Sequence, residues 1–350
     1  MEERLSLTES LHSISPGRIL IIKPSALGDV VHGLPFLNAL RARFPAAEIH
    51  WLVFRSFEPL LRDLPMISKL WVIDKAAWMR FSNLRESWKD LRLLLAGLRE
   101  ERFDLVVDLQ GLLRSGILCG ATRAPLRLGF LEGREGSPFF YTHRVRGGTD
   151  CHAIERYLKV AGSLGASMDR IDYRLDLASR GSRLLDSLPP VYVVMAPSAG
   201  GEAKRWPVEN FGRLAAQLPW PSVVISGKSD VVLAEQVVAA SRGRAISLAG
   251  RTTLNEMIEA IRRAKAFISN DTGPMHIAAA LGVPVFAVFG PTSPLRTGPY
   301  GPGHTVITAG LACSPCFRRK KCSHWICMER ISVPQVLSAI ESRMNFARAS

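Results

Sequence analysis

The feature that most constrains this chain is an alternation of short β-branched apolar runs with longer stretches whose apolar residues recur at helical spacing. The first cycle is RILIIK (Arg18–Lys23), LPFLNALRARF (Leu34–Phe44) and EIHWLV (Glu48–Val53). KLWVID (Lys69–Asp74), the amphipathic stretch Leu84–Arg99, FDLVVDLQG (Phe103–Gly111) and CHAIERYLKVAGSLG (Cys151–Gly165) continue it. Uninterrupted apolar runs of this length predict strands buried on both faces, and strands alternating with helices predict a parallel sheet covered on both sides. Between Leu126 and Tyr141 the pattern gives way to what reads as a glycine-rich, charged loop. A variable tract, Met168–Pro190, ends in Pro-Pro. The rhythm then restarts with VYVVMAPSAG and runs through PVENFGRLAAQL, SVVISG, VVLAEQVVAA, AISLAG, LNEMIEAIRRA, AFISND and HIAAALG to VPVFAVFG. Two α/β domains joined near Ser179–Pro190 are therefore expected, a division that a chain of 350 residues makes natural.

Charge narrows the partners. Lys and Arg number 45 against 31 Asp and Glu, a net +14, in a chain that is otherwise ordinary at 47% hydrophobic and 22% charged. Such a surplus favours polyanions: nucleic acid, an anionic membrane face or phosphorylated substrates. The first seventeen residues are mixed and polar, without the basic–apolar–small order of a signal peptide, and read as a short extension. The longest apolar stretch, near Ile277–Phe289, is broken by Gly282 and Pro284, short of the roughly 20 residues that span a bilayer. A cytoplasmic protein that touches a membrane surface without crossing it is the expectation.

Open parallel sheets bind ligands beyond the carboxyl ends of their strands, and four segments there carry polar groups that a core does not need. In KPSALGDVVHGLP (Lys23–Pro35), Ser25, Gly28 and Asp29 precede a helix. Gly28 would allow a positive φ or close approach by a ligand. Asp29 either takes a proton from a substrate hydroxyl or caps the helix that follows. In APSAGGEAKRWP (Ala196–Pro207), Gly200 and Gly201 expose backbone N–H groups, and Lys204 supplies a positive charge before a proline suited to a helix start. That combination fits a phosphate, although the spacing is not that of a P-loop; the alternative is a solvated basic loop.

NDTGPMHIAAALG (Asn270–Gly282) places Thr272 and Gly273 at the start of a helix, where free N–H groups attract an anion. Asp271 could accept hydrogen bonds from sugar hydroxyls there, and His276 lies one turn in, either toward a ligand or as a satisfied structural histidine. The fourth segment, CSPCFRRKKCSHWIC, spaces Cys313, Cys316, Cys322 and Cys327 as C-x2-C-x5-C-x4-C, with His324 as a further donor. It suits either a structural zinc or a reduced, metal-free loop. No G-x-G-x-x-G follows the first strand, which argues against a dehydrogenase.

KPSALGDVVHGLP, AKRWP and NDTGPMHIAAALGVPVFAVFGPTSP, in this order, resemble glycosyltransferase family 9, which contains the ADP-heptose–lipopolysaccharide heptosyltransferases. The resemblance covers about Arg18 to Ile307; VVDLQGLLRS (Val106–Ser115) and CHAIERYL (Cys151–Leu158) are similar to the heptosyltransferase I branch in particular. It implies a GT-B fold, two Rossmann-like domains with parallel sheets facing across a cleft. Residues 18–180 would form the acceptor domain and 190–330 the nucleotide-sugar domain, with a helix in 331–350 packing back on the first. It further implies inversion at the anomeric carbon, with Asp29 as general base. On the donor side, Lys204 would bind the diphosphate, Asp271 the heptose, and Thr272, Gly273 and His276 the diphosphate side.

The loop SAGGEA departs from relatives that carry threonines before the lysine, so backbone N–H groups would replace hydroxyl contacts. SGKSD (Ser226–Asp230) is the expected ribose region, with Asp230 for its hydroxyls. No metal or cofactor is implied for the chemistry. The acceptor would be lipid A–Kdo or a heptosylated core at the cytoplasmic face of the inner membrane. Arg114, Arg127 and Arg134 are candidates for its carboxylates and phosphates, against a reading as plain surface charge. Rival readings are another nucleotide-sugar donor or surface glycan, a sugar-nucleotide epimerase, and a zinc-knuckle nucleic-acid binder.

Overall fold

The computed structural model describes residues 11–74, 84–169, 171–173, 175, 182–317, 322 and 324–345. The chain divides into two compact units, Met1–Leu177 and Ala178–Ser350. The expected junction lies just beyond this division, and its residues 179–181 are outside the described residues.

The first unit holds β1 (Arg18–Ile22), β2 (Glu48–Phe54), β3 (Lys69–Ile73), β4 (Leu105–Asp108), β5 (Leu126–Phe130) and β6 (His143–Val145). They form one six-stranded sheet in the order β3-β2-β1-β4-β5-β6. Every neighbouring pair is parallel, with Ile19 opposite both Ile49 and Leu105. Ile19 to Ile22 are fully buried, as a strand covered on both faces requires. Its helices are α1 (Leu27–His32), α2 (Leu34–Arg43), α3 (Leu84–Glu100), α4 (Leu113–Ala121) and α5 (Ala153–Ser163).

The expected loop from Leu126 to Tyr141 is corrected at both ends: it begins with β5 and ends with a 3-10 turn, Ser137–Phe140, ahead of β6. Arg127 and Gly129 interrupt the apolar run that marks the other strands, and the structure explains the glycine. A Cβ on Gly129 would lie 2.3 Å from the Tyr141 ring, whose hydroxyl donates to buried Asp108 at 2.7 Å. That carboxylate also accepts the Gln110 and Gly111 N–H groups at 2.8 and 3.1 Å, shaping the turn after β4.

The second unit opens with the short α6 (Arg183–Asp186) and repeats the plan: β7 (Val193–Ala196), α7 (Val208–Ala215), β8 (Ser222–Val224), α8 (Val231–Ala240), β9 (Ala245–Ser247), α9 (Leu254–Arg262), β10 (Phe267–Asn270), α10 (Gly273–Ala280), β11 (Val285–Val288), α11 (Pro294–Thr297) and β12 (Thr305–Ile307). Its order, β12-β11-β10-β7-β8-β9, is the first unit's order repeated, and again all pairs are parallel. α10 is apolar around most of its circumference, and Met275 to Ala279 are all buried, so it behaves as a core helix.

After α12 (Ile326–Glu329), the final helix α13 (Val333–Met344) packs on α7, β11 and β12. Its Val336, Leu337 and Ile340 lie in the second unit's core. The apolar face of the helix is complementary to its own sheet.

Candidate functional site

Each sheet reverses its strand order once, between β1 and β4 and between β7 and β10. The carboxyl ends of strands at such a switch point splay their loops apart and leave room for a ligand. Of the sequence-predicted residues, Asp29, Ser25, Gly28 and Arg114 follow β1 or β4, while Gly200, Gly201, Lys204, Asp271, Thr272, Gly273 and His276 follow β7 or β10.

In the second unit, the loop after β7 is fastened to β10 by Asn270. Its amide donates to Pro197 O at 2.6 Å and its oxygen accepts the Trp206 N–H at 2.9 Å. Asn270 and Trp206 are fully buried, and the indole donates to Ile331 O at 2.7 Å. With the loop so fixed, the 3-10 turn Glu202–Lys204 aims Lys204 at Asp271, and the two form a buried ion pair. Thr292, past β11, donates its hydroxyl to the same carboxylate oxygen at 2.8 Å and is itself buried. Asn270 and Thr292 were absent from the sequence reading. Their signal was faint: a buried asparagine at a strand end, and a hydroxyl in GPTSP, both meaningful only once distant strands are paired.

Thr272 stands at the N-cap of α10, but its side chain makes no capping hydrogen bond, so the helix start offers N–H groups to an anion. A Cβ on Gly200 or Gly201 would meet nothing within 4 Å. Neither glycine is demanded by packing, and open space borders this loop. Pro207 stands at the N-cap of α7, one place before the predicted helix position. His276 is buried within α10. Asp230 is held by Arg205, whose Nη2 lies 3.3 Å from its Oδ1; Arg205 is a residue the sequence reading left without a role.

In the first unit, Asp29 lies in the first turn of α1. Its Oδ2 accepts the Ala26 N–H at 3.1 Å, so the capping reading is realised, while 39% of the side chain stays exposed and can meet a substrate. Gly28 is a buried, right-handed residue of that same turn, so of the two expectations, positive φ or close approach by a ligand, the first is not realised; helix formation begins one residue earlier and takes the glycine in. Arg127 donates to Phe140 O at 2.9 Å and Ala124 O at 2.6 Å, so two of its donors brace backbone. The Arg134 side chain is exposed while its own N–H ties to Gly111 O at 2.8 Å. Arg114 is half-buried on α4.

Cys313, Cys316, Cys322 and Cys327 are all free thiols, the first exposed and the last buried. Burial, followed by the proximity of Cys316, Cys322 and Cys313, pushes the Cys327 thiol up. The segment leans on the loop after β11: Ser314 donates to Gly290 O at 2.5 Å and Phe317 N–H to Pro291 O at 2.7 Å. Cys322 Sγ lies 3.7 Å from His324 Nδ1. Among the described residues no group of three or more His, Cys, Asp or Glu side chains is arranged to hold a metal ion.

Two doubly wound units in one chain, one with an exposed carboxylate and the other with an anion-ready loop and helix start at its switch point, have the GT-B fold. The chain belongs to glycosyltransferase family 9: the family described as "Glycosyltransferase family 9 (heptosyltransferase)" matches residues 91–326. It is 30% identical to the lipopolysaccharide heptosyltransferase 1 of Pseudomonas aeruginosa, over 88% of each chain. Its fold is similar to the family 9 glycosyl transferase of Veillonella parvula, with a TM-score of 0.75 and 25% identity over 94% of this chain and 97% of that one. It is also similar to the E. coli heptosyltransferase WaaC solved with ADP-2-deoxy-2-fluoro heptose, with a TM-score of 0.73 and 24% identity over 93% and 99%. No helix among the described residues is long and apolar enough to cross a membrane.

Proposed function

We propose that the protein transfers heptose from ADP-heptose to the inner core of lipopolysaccharide, on Kdo or a first heptose, with inversion at the anomeric carbon. The buried Lys204–Asp271–Thr292 cluster at the β7/β10 switch point carries this reading. Lys204 supplies positive charge for a diphosphate, Thr272 and Gly273 supply helix-start N–H groups, and Asp271 supplies an acceptor for sugar hydroxyls. As the bond between the anomeric carbon and the diphosphate breaks, its electron pair leaves on ADP, and the fixed N–H groups and Lys204 stabilise the added charge. Asp29 takes the proton of the acceptor hydroxyl while its oxygen attacks the anomeric carbon from the opposite face. Asp230 and Arg205 form the ribose end of the donor site.

The net +14 suits an acceptor rich in phosphate and carboxylate and a peripheral stay at an anionic membrane face. Arg114 and Arg134 are the acceptor-side arginines in this reading. A panel of nucleotide sugars, followed by nucleotide release with a Kdo-bearing acceptor, tests donor choice, and the proton NMR coupling at the new linkage tests inversion. Turnover with a UDP-sugar and none with ADP-heptose would contradict the proposal.

The reduced cysteines form a second, independent reading. Four thiols in C-x2-C-x5-C-x4-C order have the ligand spacing of a structural zinc, and binding would require Cys313, Cys316, Cys322 and Cys327 to draw together from where they stand. One equivalent of zinc in the purified protein, lost on Cys316→Ser, supports it; metal-free, fully active protein contradicts it.

A further inference from the structure

Lys23 is the first residue past β1 and is 3% exposed, a rare place for an ammonium group unless it is paired. Its Nζ lies 3.8 Å from Asp29 Oδ2, 3.4 Å from Leu109 O beyond β4, and 5.3 Å from the ring centre of Tyr157 on α5. Burial alone would pull the ammonium below the ordinary lysine range. Asp29, Tyr157 and Asp108 together nevertheless hold it above the ordinary lysine range, so it stays charged.

The cation is thus anchored from two sides, by the loop after β4 and by α5, and its third approach is to Asp29. Both contacts on that carboxylate, from Lys23 and from the Ala26 N–H, fall on Oδ2. Oδ1 is left to receive a proton. A carboxylate held at one oxygen by a fixed, buried charge cannot rotate that oxygen away without leaving the charge unpaired.

Resting on the reading of Asp29 as the base, we propose that Lys23 is a positioning residue that clamps Asp29 through Oδ2 and presents Oδ1 to the acceptor hydroxyl. The sequence signal is the lysine six places before the aspartate, in KPSALGD. In this assignment Lys23 acts through Asp29 and not on the substrate.

The test is a double-mutant cycle of Lys23→Met and Asp29→Asn on the full chain, with steady-state kinetics and ADP binding on each protein. Lys23→Met should lower kcat about 100-fold, the scale of a misplaced catalytic group, and leave the KM for donor and acceptor within about threefold. In the Asp29→Asn background the same change should alter the residual rate by less than about threefold, because the group that Lys23 serves is gone. Should the Met variant melt below the assay temperature, Lys23→Gln, which keeps a donor and loses the charge, should show the same kcat loss.

A folded Lys23→Met or Lys23→Gln with near-wild-type kcat overturns the assignment, as does an equal loss of rate in the Asp29→Asn background. Near-wild-type turnover by Asp29→Asn is a different failure, because it removes the base itself and the clamp with it.

Discussion

Lys204 and Asp271, 67 positions apart in sequence, form a buried ion pair at the point where the second sheet reverses its strand order. Thr292 hydrogen-bonds to the same carboxylate oxygen, so cation, acid and hydroxyl make one unit. A donor diphosphate would draw on the Lys204 charge, and Asp271 would keep its place through Thr292.

Lys204→Ala should therefore weaken ADP binding and turnover together. A charge-assisted hydrogen bond contributes about 1.5–3 kcal/mol, so Kd for ADP should rise roughly 10- to 100-fold. Thr292→Val, removing one neutral donor, should cost about 1 kcal/mol, or roughly fivefold in donor KM. Isothermal titration and initial rates measure both, and an unchanged Kd in Lys204→Ala would detach the lysine from the donor.

Asp29→Ala should behave in the opposite way. General-base assistance contributes about 10²- to 10⁴-fold, so kcat should fall by that factor while ADP affinity holds within about threefold. A proportional fall in affinity would mean that Asp29 supports the fold more than the chemistry.

Much of this was legible in one dimension. Strands β1, β2, β10 and β11 stand out as apolar runs because both their faces are buried, and the polar breaks after β1, β7 and β10 mark where the sheet opens. What escaped depends on contacts between distant segments. Gly129 looks like a loop residue until Tyr141 packs over it, and Arg127 looks like an acceptor-side arginine or plain surface charge until the carbonyls of Ala124 and Phe140 are seen to bind it. Asn270 and Thr292 acquire meaning only through partners 73 and 21 positions away.

Asn270→Ala tests that hidden layer. It strands Pro197 O and the Trp206 N–H in a buried setting, and unsatisfied groups cost about 1–3 kcal/mol each. A lower urea midpoint with an unchanged m-value is expected, together with weaker ADP binding as the Lys204 loop loosens. Wild-type stability would show that the loop is held by other contacts.

Gly212→Ala probes the packing of α7 on α8. Its Cβ would stand 2.4 Å from Ala240 Cβ and 2.7 Å from Val237 O, neither of which can swing aside. The helices must separate, at a cost of about 1–3 kcal/mol by the usual scale of overpacking, read as a fall in melting temperature. An unshifted melt would mean that the two helices move apart freely.

The alkaline limb of stability should carry the mark of Tyr192, which donates from β7's approach to Ala260 O on α9 at 2.8 Å. Burial raises its phenol from 10.0 to about 12. The folded state keeps this proton longer than the unfolded chain, so the contribution is whole below the unfolded value and is lost as pH rises through about 12. Urea titrations between those limits should show a shallower decline for Tyr192→Phe than for the wild type; parallel curves would exclude the phenol as the source.

Heptose transfer with Asp29 as base and Lys204 at the diphosphate can be read by mass spectrometry of a Kdo-bearing lipid A incubated with ADP-heptose. The prediction is an acceptor heavier by one heptose, ADP released in equal amount, and loss of both in Asp29→Ala and Lys204→Ala. An acceptor of unchanged mass, with the folded wild-type protein and intact donor present, would contradict it.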